Sequence, residues 1–323
     1  MLSIAIPTYR RPTYLRQALE SIAREVDGIS EQVEVVVSDN ASGDDTEEIS
    51  GSISGLPVAY FCNDDNLGAA ENIILSCERC TGDYVFLLGD DDLVEPGTLE
   101  RVISVAVWDR PPGVISGPVS HFQDGDKFQT GNLSFRNDLA ADQVLSAGGP
   151  ALEQVFLRAT MVSGLTIRRD LLDADGARRH ADSLYPQIYL AGSAALGAGV
   201  SYLNKPVVSV RAGPEAEWSY SGDYMTAGVF GILDELTAGL EWGPGVRKRI
   251  TRRRVRATYS PLYNARKTSI RAYLKTVRGL SSVSQHRRSP IFWAMALAVG
   301  VLGTRGVSLV RNIVRRRAPD RIG

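Results

Sequence analysis

The feature that most constrains the fold is an alternation of short apolar runs with amphipathic segments over the N-terminal third of the chain. The apolar runs occupy residues 2–6, 33–37, 58–61 and 84–88, and apolar residues recur at helical spacing after each run. Because runs of this length are typical of buried strands, the order predicts β-α-β-α-β-α-β-α. Such alternation favours an α/β fold with a mostly parallel, Rossmann-like sheet and helices on both faces.

Polar side chains follow three of the predicted strands at the points where they end. They are Pro7-Thr8-Tyr9, Asp39-Asn40 and Asp90-Asp91-Asp92. In open α/β sheets the ligand lies outside the carboxyl ends of the strands. The three clusters therefore predict a single binding site at one edge of the sheet.

Residues 90–92, called the aspartate triplet below, predict a metal ion. Adjacent carboxylates repel one another, and charge of that density at the end of an apolar strand usually needs a cation. Carboxylate oxygens suit Mg²⁺ or Mn²⁺, which can also bind phosphates and water. The alternative is a solvated turn in which Asp91 or Asp92 caps the next helix.

Several other classes of site are excluded by missing motifs. No GxGxxG follows a strand, no GxxxxGK[ST] occurs and no GxSxG is present, which argues against dinucleotide, P-loop and esterase-type sites. Three cysteines and three histidines are too few for a disulfide framework or a multi-zinc protein. We therefore expect a phosphate ligand to be held through a metal ion.

Four segments together resemble the family 2 glycosyltransferases of the GT-A fold. They are SIAIPTYR at residues 3–10, VVVSDNASGD at 35–44, Asn66-Leu-Gly68 with Asn72, and GDYVFLLGDDD at 82–92. Residues 161–172 and Tyr185-Pro-Gln187 are similar to bacterial surface-polysaccharide sugar transferases of the abequosyltransferase type. The resemblance implies an enzyme that uses a nucleotide-activated sugar.

The resemblance also implies roles for the polar residues. Pro7, Thr8 and Tyr9 are expected to line the nucleoside pocket, Asn66 and Gly68 to form the edge of the base and ribose pocket, Asp90 to bind the ribose hydroxyls, Asp91 to assist, and Asp92 to bind Mn²⁺ or Mg²⁺. Asp39 is expected to accept the ring N–H of a pyrimidine. A carboxylate there selects a base with an imide proton, which predicts a UDP- or dTDP-sugar donor.

The family inverts the anomeric configuration, which requires a general base on the acceptor hydroxyl. Asp182 is the expected base: it stands 90 residues after Asp92 and precedes a predicted helix at Tyr185. The alternative for Asp182 is a simple helix cap. His180 is the second candidate, either as the base or as a third metal ligand.

Charge is distributed very unevenly along the chain. Residues 247–323 hold 20 of the 36 basic residues and one of the 37 acidic ones, so this tail carries +19 and the preceding body −20. The tail also contains 16 consecutive uncharged residues, 289–304. A membrane span needs about 17–25 residues, so we favour an interfacial or re-entrant helix over a single span or a buried helix. The expected partner is an anionic membrane surface.

We expect a GT-A domain at residues 1–215, with a nucleotide-sugar half at 1–93 and an acceptor half at 94–215. A basic, helical, membrane-associated region is expected at 216–323. Met1 runs directly into an apolar strand without a basic leader, which predicts a cytoplasmic enzyme at the inner face of the plasma membrane.

The predicted function is sugar transfer to a lipid-linked or polysaccharide acceptor in surface-glycan synthesis. One alternative is a nucleotidyltransferase, although the loop after the first strand lacks the glycines expected of that class. Another is a non-catalytic nucleic-acid or membrane-binding module, because Tyr259, Tyr263 and Tyr273 interleave with arginines. We expect no nucleic-acid partner, since the aspartate triplet and Asp39 are intact.

Overall fold

The structure, a computed structural model, describes residues 1–122, 141–159, 161–211 and 222–317. The sequence also predicts a polar loop at 123–139 and a polar break at 211–221. That loop, Thr160 and nearly all of that break lie outside the described residues. The strands are β1 (Leu2–Thr8), β2 (Val33–Asp39), β3 (Val58–Cys62), β4 (Tyr84–Leu87), β5 (Leu93–Val94), β6 (Val114–Ser116), β7 (Val119–Phe122), β8 (Gln143–Leu145), β9 (Leu165–Arg168), β10 (Val200–Tyr202) and β11 (Val208–Arg211). The helices are α1 (Pro12–Ala23), α2 (Thr46–Gly51), α3 (Ala69–Glu78), α4 (Thr98–Ala106), α5 (Gly149–Arg158), α6 (Ala174–Arg178), α7 (Pro186–Ala198), α8 (Gly222–Leu236), α9 (Gly243–Ala257), α10 (Tyr259–Thr268), α11 (Ile270–Ser282), α12 (Ser284–Arg287) and α13 (Pro290–Arg317).

The large sheet has the strand order β3-β2-β1-β4-β9-β6-β10-β8. β1 pairs in parallel with β2 and β4, and β2 pairs in parallel with β3, which confirms the predicted α/β arrangement. β1 and β2 each run two residues beyond their predicted ends, and Thr8 is the register partner of Asp39. The polar residues at the ends of these strands therefore lie side by side at one edge of the sheet.

The later half of the chain adds antiparallel strands and a second sheet. β9 runs antiparallel to both β4 and β6, so it brings residues after 160 next to the first half. A small sheet has the order β5-β11-β7. Strands β5, β8 and β10 contain two or three residues each, too few for sequence periodicity to reveal them.

Two helices begin at positions that differ from those the sequence predicts, which are a first helix capped by Thr13 and a third helix over 66–80. The Thr13 cap is wrong, because Pro12 is the first residue of α1 and Arg11 its N-cap. Proline fits that first position because its fixed φ suits a helix and its missing N–H has no helical partner there. α3 begins at Ala69, because Gly68 adopts a φ of +84° that no helix contains. Asn66 and Gly68 therefore lie in the loop before α3.

The two faces of the sheet are covered by separate groups of buried residues. Alternate residues of β2 point to opposite faces: Val35 and Val37 join one group and Val36 the other. The group around Val36 also contains Phe230 of α8 and Ile250 of α9, so C-terminal helices share a core with the sheet. The domain boundary at 215/216 stays a prediction.

A third buried group holds the remaining C-terminal helices together. Val255, Leu262, Tyr273, Phe292 and Ala296 are its main members, and they come from α9, α10, α11 and α13. The predicted basic helical region is confirmed. No helix in the described ranges combines the length and apolar character that crossing a bilayer requires.

His286 is buried where α8 meets the C-terminal helices. Its ring packs edge-on against Phe230 at 5.9 Å and Phe292 at 5.4 Å between centroids. Within the described residues neither ring nitrogen has a hydrogen-bond partner. Burial lowers the pKa of His286 to about 4, because the charged ring would lose its hydration among aromatic neighbours.

His286 is therefore expected to make the fold sensitive to acid. The unfolded chain binds this proton near pH 6.5 and the folded chain only near pH 4, so the free energy of unfolding decreases as pH falls through that window. For His286→Leu we expect the free energy of unfolding to depend less on pH. As pH falls from 6.5 to 4, the variant should gain up to about 3 kcal/mol in stability relative to the wild type. Urea unfolding from pH 7.5 to 4 measures it. Parallel profiles for the two proteins would contradict the assignment.

Candidate active site

The aspartate triplet follows β4, at the same edge of the sheet as the ends of β1 and β2. Thr8 Oγ1 donates a hydrogen bond to Asp90 Oδ2 at 2.8 Å, across the β1/β4 pair. Arg11 Nη1 lies 3.3 Å from Asp90 Oδ1 and 3.0 Å from Asp91 Oδ2. One guanidinium from the loop after β1 thus bridges two of the three carboxylates.

Burial makes negative charge in this triplet costly. Asp90 and Asp92 are only 5% and 7% exposed. Burial, and then the neighbouring Asp91 carboxylate, raises the pKa of Asp90 to about 6, although Arg11 and Thr8 act in the opposite direction. The same two causes raise the pKa of Asp92 to about 7, against hydrogen bonds from Ser163 and the Arg211 backbone. Additional positive charge beside Asp92 would be favourable.

Two segments from the later half of the chain hold Asp92. Ser163 Oγ donates to Asp92 Oδ2 at 2.5 Å and accepts from the Gly89 N–H at 2.8 Å. The Arg211 N–H, at the end of β11, donates to Asp92 Oδ1 at 2.9 Å. The Arg211 guanidinium donates to the Asp91 carbonyl oxygen at 3.1 Å and lies 4.6 Å from the Phe122 ring centroid. The triplet is thus fixed by Ser163, which precedes β9 in the chain, and by Arg211, which ends β11.

Asp39, the last residue of β2, is buried and already hydrogen-bonded. Its Oδ1 accepts from the backbone N–H and the hydroxyl of Ser42. Its Oδ2 accepts from the Tyr60 hydroxyl at 2.7 Å and from the Cys62 thiol at 3.7 Å. Because a thiol is a weak donor, that second position on Oδ2 is the one a stronger N–H donor can take over.

Asn72 of α3 ties the ends of β1 and β2 together. Its Nδ2 donates to the Ser38 carbonyl oxygen at 2.8 Å and to the Thr8 carbonyl oxygen at 3.4 Å. Its Oδ1 accepts from the Ser38 hydroxyl and from Asn63 Nδ2. Every polar atom of this buried amide is used, so α3 fixes the positions of both strand ends.

Asn66 and Gly68 lie at the surface beside this network. Asn66 Oδ1 accepts from Asn40 Nδ2 at 2.8 Å and from the Gly68 N–H at 2.9 Å. Both residues are exposed, and Asn40 is buried beneath them. The loop is therefore anchored to the end of β2 with its outer face open.

The loops after β1 and β2 contact each other through strained backbone. Pro7 and Tyr9 are half-buried, and the next residue, Arg10, adopts a φ of +53°. Its N–H donates to the Ser42 hydroxyl at 2.8 Å, while Ala41 adopts a φ of +63°. A non-glycine residue in this left-handed region costs about 1–3 kcal/mol, and such strain clusters at functional sites.

His180 and Asp182 lie on a separate segment. His180 Nε2 is 2.7 Å from Glu235 Oε2 of α8, and Arg179 Nη2 donates to the other oxygen of the same carboxylate at 2.6 Å. Asp182 is exposed on the short 3₁₀ turn Ala181–Ser183, which packs against α3 and α8. In the described part of the chain, no hydrogen bond or ion pair links either residue to the aspartate triplet.

Asp182 does not cap the following helix. α7 begins at Pro186 with Tyr185 as its N-cap, and the Tyr185 N–H donates to the Ser183 hydroxyl at 3.2 Å rather than to Asp182. Leu184, between Asp182 and α7, adopts a φ of +63°. The Asp182 carboxylate therefore does not cap α7. It makes no hydrogen bond with residues that the structure describes.

The donor set of the aspartate triplet suits Mg²⁺ or Mn²⁺ bound by a small number of protein ligands. Among the described residues, no group of three or more His, Cys, Asp or Glu side chains is arranged to enclose a metal ion. Mg²⁺ commonly uses one or two carboxylates and completes its shell with water and substrate phosphates. Asp92 could supply one such carboxylate, because burial and the neighbouring Asp91 make its negative charge costly without a cation.

Several residues of this site carry no clear signal in the sequence. Ser163 and Arg211 reach Asp92 only because β9 and β11 return to the first half of the fold. Tyr60 binds Asp39 from the neighbouring strand β3. Arg11 had a visible signal, since it is one of two adjacent arginines directly after β1.

Comparison with known proteins assigns the family. Residues 3–151, which contain all of β1 except Leu2, β2 to β8 and the aspartate triplet, match the family model described as Glycosyl transferase family 2. The chain carries a family 2 glycosyltransferase domain. The predicted family is confirmed, and so is the enzyme class.

Relatives of this domain are named as sugar transferases. Abequosyltransferase RfbV of Salmonella typhimurium is 27% identical over 230 residues, which cover 65% of this chain and 66% of that protein. A GalNAc(5)-diNAcBac-PP-undecaprenol beta-1,3-glucosyltransferase of Campylobacter jejuni is 29% identical over 108 residues, 32% of this chain and 34% of that protein. The predicted similarity to abequosyltransferases is thus confirmed over about two thirds of that relative's length.

Solved structures support the fold of the glycosyltransferase domain and its C-terminal helices. Residues 1–349 of S. aureus TarS in complex with UDP-GlcNAc give a TM-score of 0.63 at 15% identity, covering 96% of this chain and 92% of that chain. The complex of the same protein with UDP gives 0.60 at 15% identity, covering 99% and 94%. The expected GT-A fold is confirmed.

Asn72 is expected to be essential for the stability of the site's framework. Asn72→Ala leaves the carbonyl oxygens of Thr8 and Ser38 buried without that donor, which should lower the free energy of unfolding by about 2–4 kcal/mol. Urea unfolding measures the loss. Asn264→Ala, at an exposed position of α10, is the matched control and should change stability by no more than about 0.5 kcal/mol. Equal effects of the two substitutions would show that Asn72 is not a structural link.

Proposed function

We propose that this chain transfers a sugar from a UDP- or dTDP-sugar to a lipid-linked or polysaccharide acceptor, with inversion at the anomeric carbon. The observation that carries the proposal is the convergence of Thr8, Asp39 and the aspartate triplet at one sheet edge within a family 2 glycosyltransferase domain. The family match favours sugar transfer over nucleotidyl transfer. The structurally similar TarS was solved in complex with UDP-GlcNAc and with UDP, which supports a uridine donor.

In this proposal Asp39 recognises the nucleobase of the donor. The imide N–H of uracil or thymine replaces the Cys62 thiol as a donor to Asp39 Oδ2, while Tyr60 keeps its own hydrogen bond to that oxygen. Cytosine lacks this N–H and would leave a buried lone pair without a strong donor. Pro7, Tyr9, Asn66 and Gly68 then bound the nucleoside.

The ribose and diphosphate lie over the aspartate triplet. Asp90, held by Thr8 and Arg11, accepts from the ribose hydroxyls, and Asp91 keeps Arg11 in place. Asp92 is the protein ligand for Mg²⁺ or Mn²⁺. When bound, such an ion neutralises the charge that develops on the departing diphosphate.

Asp182 acts as the general base. Its carboxylate takes the proton of the acceptor hydroxyl as that oxygen forms a bond to the anomeric carbon, and the bond from this carbon to the diphosphate oxygen breaks with its electron pair leaving on the nucleoside diphosphate. The exposed position and unoccupied hydrogen-bonding capacity of Asp182 support this role. His180 is bound to Glu235 and supports the position of the turn rather than the reaction.

The acceptor is expected at the cytoplasmic face of the plasma membrane. The Campylobacter relative is named for an undecaprenol-linked glycan, and we extend that acceptor class to this chain. The basic C-terminal helices are consistent with work at such a surface.

The donor and metal assignments are tested by calorimetry with Asp92→Ala. We expect UDP or dTDP to bind in the presence of Mn²⁺ and more tightly than GDP, and we expect Asp92→Ala to lose the metal-dependent binding and the slow hydrolysis of the donor sugar. Asp83→Ala is the matched control, because Asp83 is exposed at the opposite end of β4 and pairs with the N-terminus at 2.7 Å. Full turnover in EDTA would overturn the metal assignment, and tighter binding of GDP would overturn the base assignment.

The general base is tested with Asp182→Asn, which keeps the shape of the side chain but cannot accept the proton. We expect kcat for donor hydrolysis or transfer to fall by roughly 10²–10⁴-fold while UDP affinity is unchanged. Asp175→Asn, at an exposed carboxylate of α6, should leave kcat unchanged. The assignment moves to the neighbouring residue if His180→Gln gives the larger loss and Asp182→Asn turns over normally.

A further inference from the structure

The outer face of α13 is apolar and open to solvent. Its inner face, with Phe292, Ala296 and Val299, is buried in the third core group. The large apolar residues on the outer face are Trp293, Leu297, Val301 and Leu302, which are 44%, 68%, 73% and 48% exposed. We call these four residues the α13 apolar stripe. The spacing of four residues keeps Trp293, Leu297 and Val301 on one side of the helix, and Leu302 extends that surface at its edge.

The residues around the α13 apolar stripe are basic. Arg287 and Arg288, directly before α13, are both exposed. Residues 243–317, from the start of α9 to the end of α13, contain 19 Lys and Arg residues and no Asp or Glu. The adjoining helix α11, whose Tyr273 hydroxyl donates to the Ala296 carbonyl oxygen, exposes Leu274 between basic residues.

Trp293 is fixed at the start of the stripe. Its indole Nε1–H donates to the Arg287 carbonyl oxygen at 2.8 Å, and its ring packs edge-on against Phe292 at 5.1 Å between centroids. An exposed indole is thus held next to two arginines. Tryptophan with its polar edge hydrogen-bonded and its ring exposed is typical of the interface between lipid headgroups and acyl chains.

We propose that α13 docks on an anionic lipid surface, with the α13 apolar stripe inserted at the acyl-chain boundary and the flanking arginines at the headgroups. Cationic charge attracts the anionic leaflet, and exposed aliphatic side chains gain from leaving water there. Nucleic acid fits less well, because Leu297, Val301 and Leu302 gain nothing from phosphates, and Tyr273, a residue that could stack on bases, is buried. The surface is independent of the sugar-transfer assignment, since none of its residues belongs to the candidate active site.

The test uses the full chain, because Ile250 and Val283 of the C-terminal helices belong to the core around the sheet. Sedimentation with vesicles of phosphatidylcholine containing phosphatidylglycerol, and with phosphatidylcholine alone, measures partitioning. We expect the wild type to bind the anionic vesicles. Leu297→Ser combined with Val301→Ser should lower its partition coefficient by roughly tenfold or more at physiological salt.

A matched control removes comparable exposed apolar residues from the glycosyltransferase domain. Val107 and Trp108, after α4, are 76% and 41% exposed. Val107→Ser combined with Trp108→Ala should leave vesicle binding unchanged. Circular dichroism and the urea midpoint of each variant, together with its UDP affinity, show whether a loss of vesicle binding reflects the surface or a failure to fold.

Quenching by lipids brominated on the acyl chains gives a second readout. Part of the tryptophan fluorescence of the wild type should be quenched on binding, and Trp293→Phe should remove that part.

The proposal is overturned if the full chain binds neither vesicle at low salt. It is also overturned if the double serine variant binds as the wild type does and salt releases both, because the arginines then act without insertion. Binding to duplex DNA or self-association that the double serine variant abolishes would assign the surface to nucleic acid or to a second copy instead.

Discussion

The carboxylates of Asp90 and Asp92 are held at the end of β4 by groups drawn from distant parts of the chain. Thr8 and Arg11 come from β1 and its following loop, and Ser163 and Arg211 come from β9 and β11. Burial of these acids without such partners would be prohibitively costly. The partners nevertheless leave both pKa values raised, so the fold concentrates negative charge without cancelling it. A cation at this edge of the sheet would therefore be electrostatically favourable.

The sequence predicted the first half of this arrangement well and the second half poorly. The strands β1 to β4 are apolar runs closed by polar residues, and parallel pairing brings the ends of such runs together whatever the loops do. The proximity of Thr8, Asp39 and the aspartate triplet follows from that rule alone. Ser163 lies in no such pattern, and it reaches Asp92 because β9 runs antiparallel beside β4. The hydrophobic periodicity of a strand does not identify the strand with which it pairs.

The relation between the body and the basic tail also depends on contacts that charge counting does not reveal. The tail differs sharply in charge from the body, which predicts a separate region. Apolar residues of α8 and α9 nevertheless enter the core beneath the sheet, because hydrophobic burial at a few positions outweighs the average composition of a segment. Five of the seven basic residues of α9 stay exposed, whereas α13 exposes large apolar residues.

The contact of α8 with the turn at Ala181–Ser183 has a consequence for recombining this enzyme with its relatives. Gly228 of α8 lies so close to Ser183 that a Cβ at that glycine would stand 2.3 Å from the serine Cβ, and Glu235 bonds to His180. A chimaera that took residues 94–215 from one relative and the C-terminal helices from another would therefore separate two surfaces shaped for each other. Exchanges between relatives should transfer α6 to α8 together, because Gly228 leaves the space that Ser183 occupies.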